Sequence, residues 1–344
     1  MIDVEFFSSP IGLGHVTRDI AVAKNFEKIS TKFVTGNGAA QFLKNFNFPF
    51  YDVYNPPSFS VKNGSLANSA KWLWSYYQYY KDCKSISEKL LIQDKPNVVV
   101  SDEDFASLSV AQQKNIPTIL ITDILETKFT SGFASLIEKK MNKAMQKIIK
   151  NCRSVIVPEV GNNMENIHYV GPIVRQTKSS REELRKKFSF NKKTILVSVG
   201  GTDAGVFLIQ KVLEIQPKLI DCEIVIVPGP SINKKLKGVR DLGFVDNLHE
   251  IIYASDVLVS LAGKSTIDEA NEYGTPGIFI PIKGHFEQED NAKGQGFVFE
   301  DINRLDQLIL DRLERRRSPM KSNGSQNASK IIQKLILEIN QSNH

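Results

Sequence analysis

Residues 256–266 read Asp256-Val257-Leu258-Val259-Ser260-Leu261-Ala262-Gly263-Lys264-Ser265-Thr266. A short apolar run of this kind is a buried strand, and the Gly-Lys-Ser-Thr that follows joins it to a helix. The segment imitates a P-loop but fails on spacing. The first glycine of that motif would fall at Leu258, inside the strand, so a loop able to wrap a triphosphate cannot form. What remains is a helix amino terminus whose N–H groups, with the hydroxyls of Ser265 and Thr266, suit a diphosphate. One turn on stand Asp268 and Glu269. A carboxylate there can accept both hydroxyl donors of a ribose, or can simply complement the helix dipole.

The same rhythm runs outward in both directions. Short apolar runs at about 2–7, 31–35, 97–101, 117–122, 153–157, 194–199, 222–227, 256–260 and 277–280 alternate with amphipathic stretches, the pattern of strand and crossover helix. One such stretch, 136–150, places Ile137, Met141, Ala144, Met145 and Ile148 on one face and Lys139, Lys140, Lys143, Lys147 and Lys150 on the rest. At the far end 302–317 reads as one helix. After a break at Asn323-Gly324-Ser325, a last helix carries Ile331, Ile332, Leu335, Ile336 and Ile339 as a stripe that needs a surface to cover. With 344 residues, two domains are expected. The fold class is α/β, two Rossmann-like doubly wound domains facing across a cleft. The boundaries are 1–172, 173–322 and a carboxy-terminal helix 323–344 expected to pack back on the first domain, the break falling at Gly171-Pro172.

Two further glycine loops fit that plan. The first strand runs through Ser8-Ser9-Pro10-Ile11-Gly12-Leu13-Gly14-His15 into a helix. Glycine lets backbone approach a ligand, and the helix start favours an anion. The loop departs from the dinucleotide fingerprint, because Thr17 stands where its third glycine belongs and no strand-end acid follows at the usual distance. His15 is either a proton-transfer group at a ligand-facing helix start or a packed, capping histidine. In the second half, strand 194–199 ends in Gly200-Gly201-Thr202-Asp203-Ala204-Gly205. The loop Pro281–Ala292 holds Lys283, His285, Glu287, Gln288, Glu289, Asp290 and Asn291, amides and carboxylates that suit a sugar, or a plain solvated turn.

The chain is 41% hydrophobic and 24% charged with 21 Gly and 14 Pro, which excludes disorder, collagen-like repeats and coiled coil. The net charge of +6 is spread rather than gathered in a tail, so nucleic acid is not expected as a partner. Cys83, Cys152 and Cys222 are odd in number and far apart, which fits a reduced compartment without structural zinc. No run approaches a membrane span and the amino terminus lacks the core of a signal peptide, so a cytoplasmic protein is expected. Trp72, Trp74, Tyr76, Tyr77, Tyr79 and Tyr80 occupy nearly all sides of one helix. They form either a packed core face or, with the lysine-rich helix, a peripheral contact with the cytoplasmic face of an anionic membrane.

In order, these pieces resemble a glycosyltransferase of the GT-B architecture, most of all the MurG-like family that glycosylates lipid carriers. The resemblance is densest over 240–292: Gly-Phe-Val-Asp-Asn-Leu, Ala-Ser-Asp-Val-Leu-Val-Ser, Gly-Lys-Ser-Thr-Ile-Asp-Glu-Ala, Gly-Thr-Pro-Gly-Ile-Phe-Ile-Pro and Glu-Gln-Glu-Asp-Asn-Ala. Gly14-His15-Val16, Gly171–Arg175 and the Gly200-Gly201 loop extend it. It implies a UDP-sugar donor, with uracil held by backbone near Phe244 and Val245 and ribose by Glu269. Gly263, Ser265 and Thr266 would lie at the diphosphate. Gln288 and Asn291 would meet the donor sugar, Gly201, Thr202 and Arg175 would reach phosphate, and His15 would stand at the reacting centre. Gly12 and Gly14 would lie on the acceptor side. Where the family often has two adjacent glutamines, this chain has Glu287-Gln288. Asp102, Glu103, Asp104 and Asp123 end strands on the side expected for ligands, and one of them, Asp102 and Asp104 being the first candidates, would be the base or orient His15.

The implied reaction is inverting, metal-independent transfer of a sugar, N-acetylglucosamine in the first instance, from UDP to a lipid-linked or other hydrophobic acceptor, with no cofactor. Two alternatives stay open. Ile11–Asp19 also resembles the loop of hydrolases that release UDP from amino-sugar donors, with His15 activating water. A UDP-sugar sensor in which His15 is structural is the other.

Overall fold

The computed structural model describes residues 2–58, 60–67, 69–126, 134–200, 203–229, 238–315 and 317–342. The strands are β1 (Val4–Ser8), β2 (Thr31–Thr35), β3 (Phe50–Asp52), β4 (Ser60–Lys62), β5 (Ser65–Ala67), β6 (Val98–Asp102), β7 (Thr118–Ile121), β8 (Ser154–Val157), β9 (Ile167–Tyr169), β10 (Lys193–Ser198), β11 (Cys222–Val227), β12 (Arg240–Asp241), β13 (Val257–Leu261) and β14 (Gly277–Ile280). The α-helices are α1 (Gly14–Ala23), α2 (Asn37–Leu43), α3 (Ser69–Asp94), α4 (Phe105–Gln113), α5 (Ala134–Asn151), α6 (Arg181–Lys187), α7 (Val206–Ile215), α8 (Leu248–Ala254), α9 (Lys264–Tyr273), α10 (Phe286–Gly294), α11 (Leu305–Leu313) and α12 (Gly324–Ser342).

The chain divides into two compact units, Met1–Pro57 with Ala70–Ile173 and Ser322–His344, and Ser58–Ser69 with Val174–Lys321. A single cut at 172 therefore misplaces one segment, while the carboxy-terminal helix packs back on the first unit as expected. The segment around the β4–β5 hairpin belongs with the second unit, and α12 is part of the first, where it packs against α1.

In the first unit seven parallel strands run in the order β3-β2-β1-β6-β7-β8-β9. Every residue of β1 and β6 is buried, as expected of strands covered by helices on both faces. The order reverses direction between β1 and β6, so the carboxyl ends of those two strands open the crevice where doubly wound sheets bind ligands. The second unit repeats the plan with five parallel strands, β12-β11-β10-β13-β14, and its reversal lies between β10 and β13.

Local chemistry fixes several boundaries. Ser180 and Glu183 form a reciprocal capping box at α6. Gly274 ends α9 at φ 63, and a Cβ there would sit 2.4 Å from the Pro319 nitrogen, so both conformation and space require glycine. The single helix expected over 302–317 is instead a 3₁₀ stretch, Phe299–Arg304, followed by α11. On α5 the buried side is Met145 and Ile149 with Ile148 half-buried, whereas Met141 and Ala144 are exposed, and the side chain of Ile137 lies outside the described residues. The expected stripe holds only for the carboxyl half of that helix. On α12 the stripe does find cover, with Ile332 and Ile336 buried.

The aromatic run on α3 is split between two environments. Tyr79 and Tyr80 pack on the core of the first unit, Trp72 stacks on Tyr76 at 5.1 Å and donates to the Pro57 carbonyl, and Trp74 and Tyr77 are 66% and 48% exposed. Of the three residues singled out for membrane contact, only Trp74 faces outward; Trp72 and Tyr76 are half-buried by their stacking. No helix among the described residues is long and apolar enough to cross a membrane.

Candidate active site

At the reversal of the first sheet, β1 delivers the loop that opens α1, and β6 ends on Asp102. The left-handed turn at Gly12, φ 81, and the uncapped start of α1 place His15 one residue into the helix. Its Nδ1 donates to Asp102 Oδ1 at 2.7 Å, which orients the ring and leaves Nε2 3.8 Å from Glu103 Oε2. Asp102 is fully buried and also takes Arg18 Nε on Oδ2 and Arg18 Nη2 on Oδ1, both at 2.5 Å. Burial alone would raise the Asp102 carboxyl, but Arg18 and His15 outweigh it and hold the group well below the usual carboxylate range.

Around this ionised centre the neighbouring acids divide. Glu103, in the left-handed region at φ 57, accepts Thr122 Oγ1 at 3.1 Å and lies 3.6 Å from Arg18. Burial and the charge of Asp123 push its carboxyl well above the ordinary value. Asp123 is depressed, since Arg18 and a hydrogen bond from Glu103 overcome its burial. Asp19, buried and bonded by Ser8 Oγ at 2.5 Å, is raised by burial and by the charge of Asp102. The array is thus an imidazole oriented on an anionic carboxylate, with one buried guanidinium as counter-charge.

Asp104 does not join it. It is the N-cap of α4, with Oδ1 accepting Ala106 N–H at 3.1 Å and Oδ2 accepting Tyr54 Oη at 2.7 Å. Its place beside the strand end made it look reactive, but both oxygens serve the fold. Arg18, which the sequence reading passed over, was detectable: it lies three residues after His15 on α1 and so shares its face.

The second unit builds another group at its own reversal. Gly263 is the N-cap of α9, no side chain caps that helix, and no acid occupies its first turn. The space above Gly263 is open, and Ser265 and Thr266 are half-exposed. Lys264 is drawn back onto Asp268, its Nζ within 2.8 Å and 2.7 Å of the two oxygens. Glu269 is only 5% exposed. Its Oε1 accepts Arg175 Nε at 2.9 Å and pairs with Nη2 at the same distance, while Oε2 takes no hydrogen bond among the described residues. Burial raises the Glu269 carboxyl and Arg175 opposes that rise. Arg175 is buried and gives Nη1 to the Asp246 carbonyl at 2.6 Å, so its guanidinium braces Glu269 and the 243–247 turn rather than standing open to phosphate.

Phe244 and Val245 lie in that turn, both half-buried, with Val245 packed on the core. Gln288 Oε1 accepts the Ile282 N–H at 3.1 Å, and Asn291 Nδ2 donates to the Ala262 carbonyl at 3.2 Å. Each amide therefore ties α10 to a loop at the sheet's carboxyl edge and keeps its other end without a hydrogen bond among the described residues. Gly200 adopts φ 81 with open space where a Cβ would be. Gly201 and Thr202 lie outside the described residues.

Residues 194–341 match the glycosyltransferase family 28 C-terminal domain. An uncharacterized glycosyltransferase of Methanosarcina mazei is 26% identical over 82% of this chain and 80% of its own length. A UDP-N-acetylglucosamine–N-acetylmuramyl-(pentapeptide) pyrophosphoryl-undecaprenol N-acetylglucosamine transferase of Thermosipho africanus is 25% identical over 94% of this chain and 96% of its own. Among solved structures, MurG of Acinetobacter baumannii aligns over 97% of this chain and 100% of its own with a TM-score of 0.58 at 16% identity. With two parallel sheets of Rossmann-like order, the chain is a glycosyltransferase of the GT-B architecture. Within that class its similarity is to MurG-type enzymes, carried by the second half of the chain.

Proposed function

We propose that the chain moves a sugar, N-acetylglucosamine in the first instance, from a UDP-sugar to a hydroxyl of a lipid-linked or other hydrophobic acceptor, with inversion and without a metal ion. The observation that carries this reading is Glu269: a buried carboxylate, one oxygen fixed by Arg175 and the other without a hydrogen bond, one turn inside an uncapped helix start. That is the donor set a ribose diphosphate asks for, with hydroxyls on Oε2 and phosphate oxygens on the N–H groups and on Ser265 and Thr266. Backbone at Phe244 and Val245 reads uracil; the unbonded ends of Gln288 and Asn291 read the sugar. Arg175 acts through Glu269. Gly12 and Gly14 leave room on the acceptor side.

In the transfer step the acceptor oxygen attacks the anomeric carbon as its proton passes to His15 Nε2. The bond from that carbon to the diphosphate oxygen breaks, and UDP leaves with the electron pair. Asp102 stabilises the imidazolium, and Arg18 keeps Asp102 ionised so that it can. The helix start of α9 supplies the charge stabilisation for the leaving group. Exposed Trp74 and Tyr77, with the exposed lysines of α5, favour weak peripheral attachment to anionic lipid at the cytoplasmic face, at about 1 kcal/mol per basic group near the surface.

A calorimetric screen of UDP-sugars, followed by mass analysis of a lipid extract incubated with the donor that binds, tests the reading. A sugar-sized mass increase on a lipid supports it. Rapid sugar release without any acceptor assigns the chemistry to hydrolysis, with His15 activating water; absence of UDP binding removes the donor assignment altogether.

A further inference from the structure

The β4–β5 hairpin lies far from the donor motifs in sequence but is built into the second unit. Val61 and Leu66 pack on that unit's core. Gly64 turns at φ 76 directly over Phe299, where a Cβ would come within 2.5 Å of the ring. The hairpin then bonds one residue from both sides: Lys283 N–H donates to the Gly64 carbonyl, and Leu66 N–H donates to the Lys283 carbonyl, each at 2.8 Å. Lys283 stands between Ile282, whose N–H is held by Gln288 Oε1, and Gly284, whose N–H is held by Glu289 Oε1 at 2.8 Å. Three successive amides of the loop from β14 to α10 are thus fixed, the outer two by side chains of α10 and the middle one by the hairpin.

We infer that residues 60–67 are a clamp that sets the β14–α10 loop and so aims the Gln288 amide at the donor sugar, making the hairpin a specificity-determining element. This rests on the proposed donor site. Gln288 can offer its Nε2 in one direction only while its Oε1 is engaged by Ile282, and the Ile282 peptide is joined directly to the residue the hairpin holds. A neutral hydrogen bond lost or misaimed at the C2 acetamido group that separates N-acetylglucosamine from glucose changes affinity roughly five- to tenfold. Lys283 reinforces the arrangement through Glu300 at 3.0 Å, and its ammonium lies 5.7 Å from the Phe299 ring centre.

The test uses the full-length chain and three variants. Leu66→Pro removes the donating N–H, Gly64→Val forces the turn off Phe299, and Leu66→Val keeps the N–H as the conservative control. UDP affinity is read by calorimetry, the preference for UDP-N-acetylglucosamine over UDP-glucose by kcat/KM, and the 281–289 amides by hydrogen exchange. Expected for Leu66→Pro and Gly64→Val are UDP affinity within about twofold of wild type, a sugar preference reduced roughly five- to tenfold and faster exchange across 282–284, with Leu66→Val near wild type. An unchanged preference in both disruptive variants overturns the inference, and so does a parallel loss of UDP affinity, which marks the hairpin as a general brace. If wild type binds no UDP while exchange still responds, the donor site itself has failed, and the selecting role falls with it.

Discussion

Arg18 grips Asp102 through both carboxylate oxygens, Nε on Oδ2 and Nη2 on Oδ1 at 2.5 Å, and the same Oδ1 holds His15 Nδ1 at 2.7 Å. The carboxylate is therefore shared between a buried cation and the imidazole proposed as the base. Asp102→Asn keeps the shape but removes the charge and offers an N–H where His15 needs an acceptor, so the wrong tautomer is favoured. Turnover should fall about 10²- to 10⁴-fold. Because Arg18 loses its principal counter-charge in a buried place, folding stability should drop by about 3 kcal/mol. Steady-state rates and denaturant unfolding of the one variant read both; wild-type turnover would refute the pairing of His15 with Asp102 as catalytic.

Glu269 offers a cleaner separation of binding from folding. Glu269→Gln keeps an oxygen for Arg175 and a polar end for ribose but loses the charge-assisted part of both, which weakens UDP binding by about 1–2 kcal/mol, roughly tenfold in affinity. Glu269→Ala removes both and leaves Arg175 buried without its partner, at a stability cost of about 3–5 kcal/mol. Calorimetry with UDP, accompanied by a melting curve, decides. Unchanged affinity in a folded Glu269→Ala would take ribose away from this residue.

Asp104 tests the opposite expectation, that an acid at a strand end can be purely structural. Its substitution by Ala removes the α4 cap and one of the two hydrogen bonds of the buried Tyr54 hydroxyl, the other being to Ser87 Oγ at 2.9 Å. Stability should fall by about 1–3 kcal/mol. At a temperature where the variant is folded, kcat/KM should stay within about twofold of wild type. A turnover loss comparable to that of Asp102→Asn would return Asp104 to the reaction.

The two acids show where sequence reading reaches and where it stops. Strand and helix periodicity located nine of the parallel strands to within two residues, because buried parallel strands are continuous apolar runs with sharp ends. It passed over β3, β9 and β12, which are two or three residues long, and the β4–β5 hairpin, whose apolar residues are isolated between polar ones. Motif order pointed to His15 and Glu269, since loop glycines and helix starts leave local signatures. Whether Asp102 or Asp104 faces the imidazole depends on a strand end against a cap one turn later, and no local pattern distinguishes them. Likewise Arg175 carries a charge fit for phosphate, yet its partner lies 94 positions away, at Glu269.

The last prediction concerns Glu5, a fully buried carboxyl in β1 whose two oxygens take no hydrogen bond among the described residues. Burial and then the charge of Asp94 push Glu5 up to about 8, against the pull of Lys32. The folded value lies above the unfolded one, so between about 4.5 and 8 the folded chain keeps a proton that the unfolded chain has lost. The associated stability is fully present below the unfolded pKa and disappears as pH rises through the folded one. Glu5→Gln, neutral at every pH, should flatten the decline and be the more stable form at pH 8.5, by up to about 4 kcal/mol. Lys32 is already paired with Asp94 at 2.8 Å, so the substitution leaves that cation its own partner. Urea unfolding at half-unit steps from pH 5 to 9 gives both profiles, and parallel curves would mean that Glu5 ionises alike in the folded and unfolded chains.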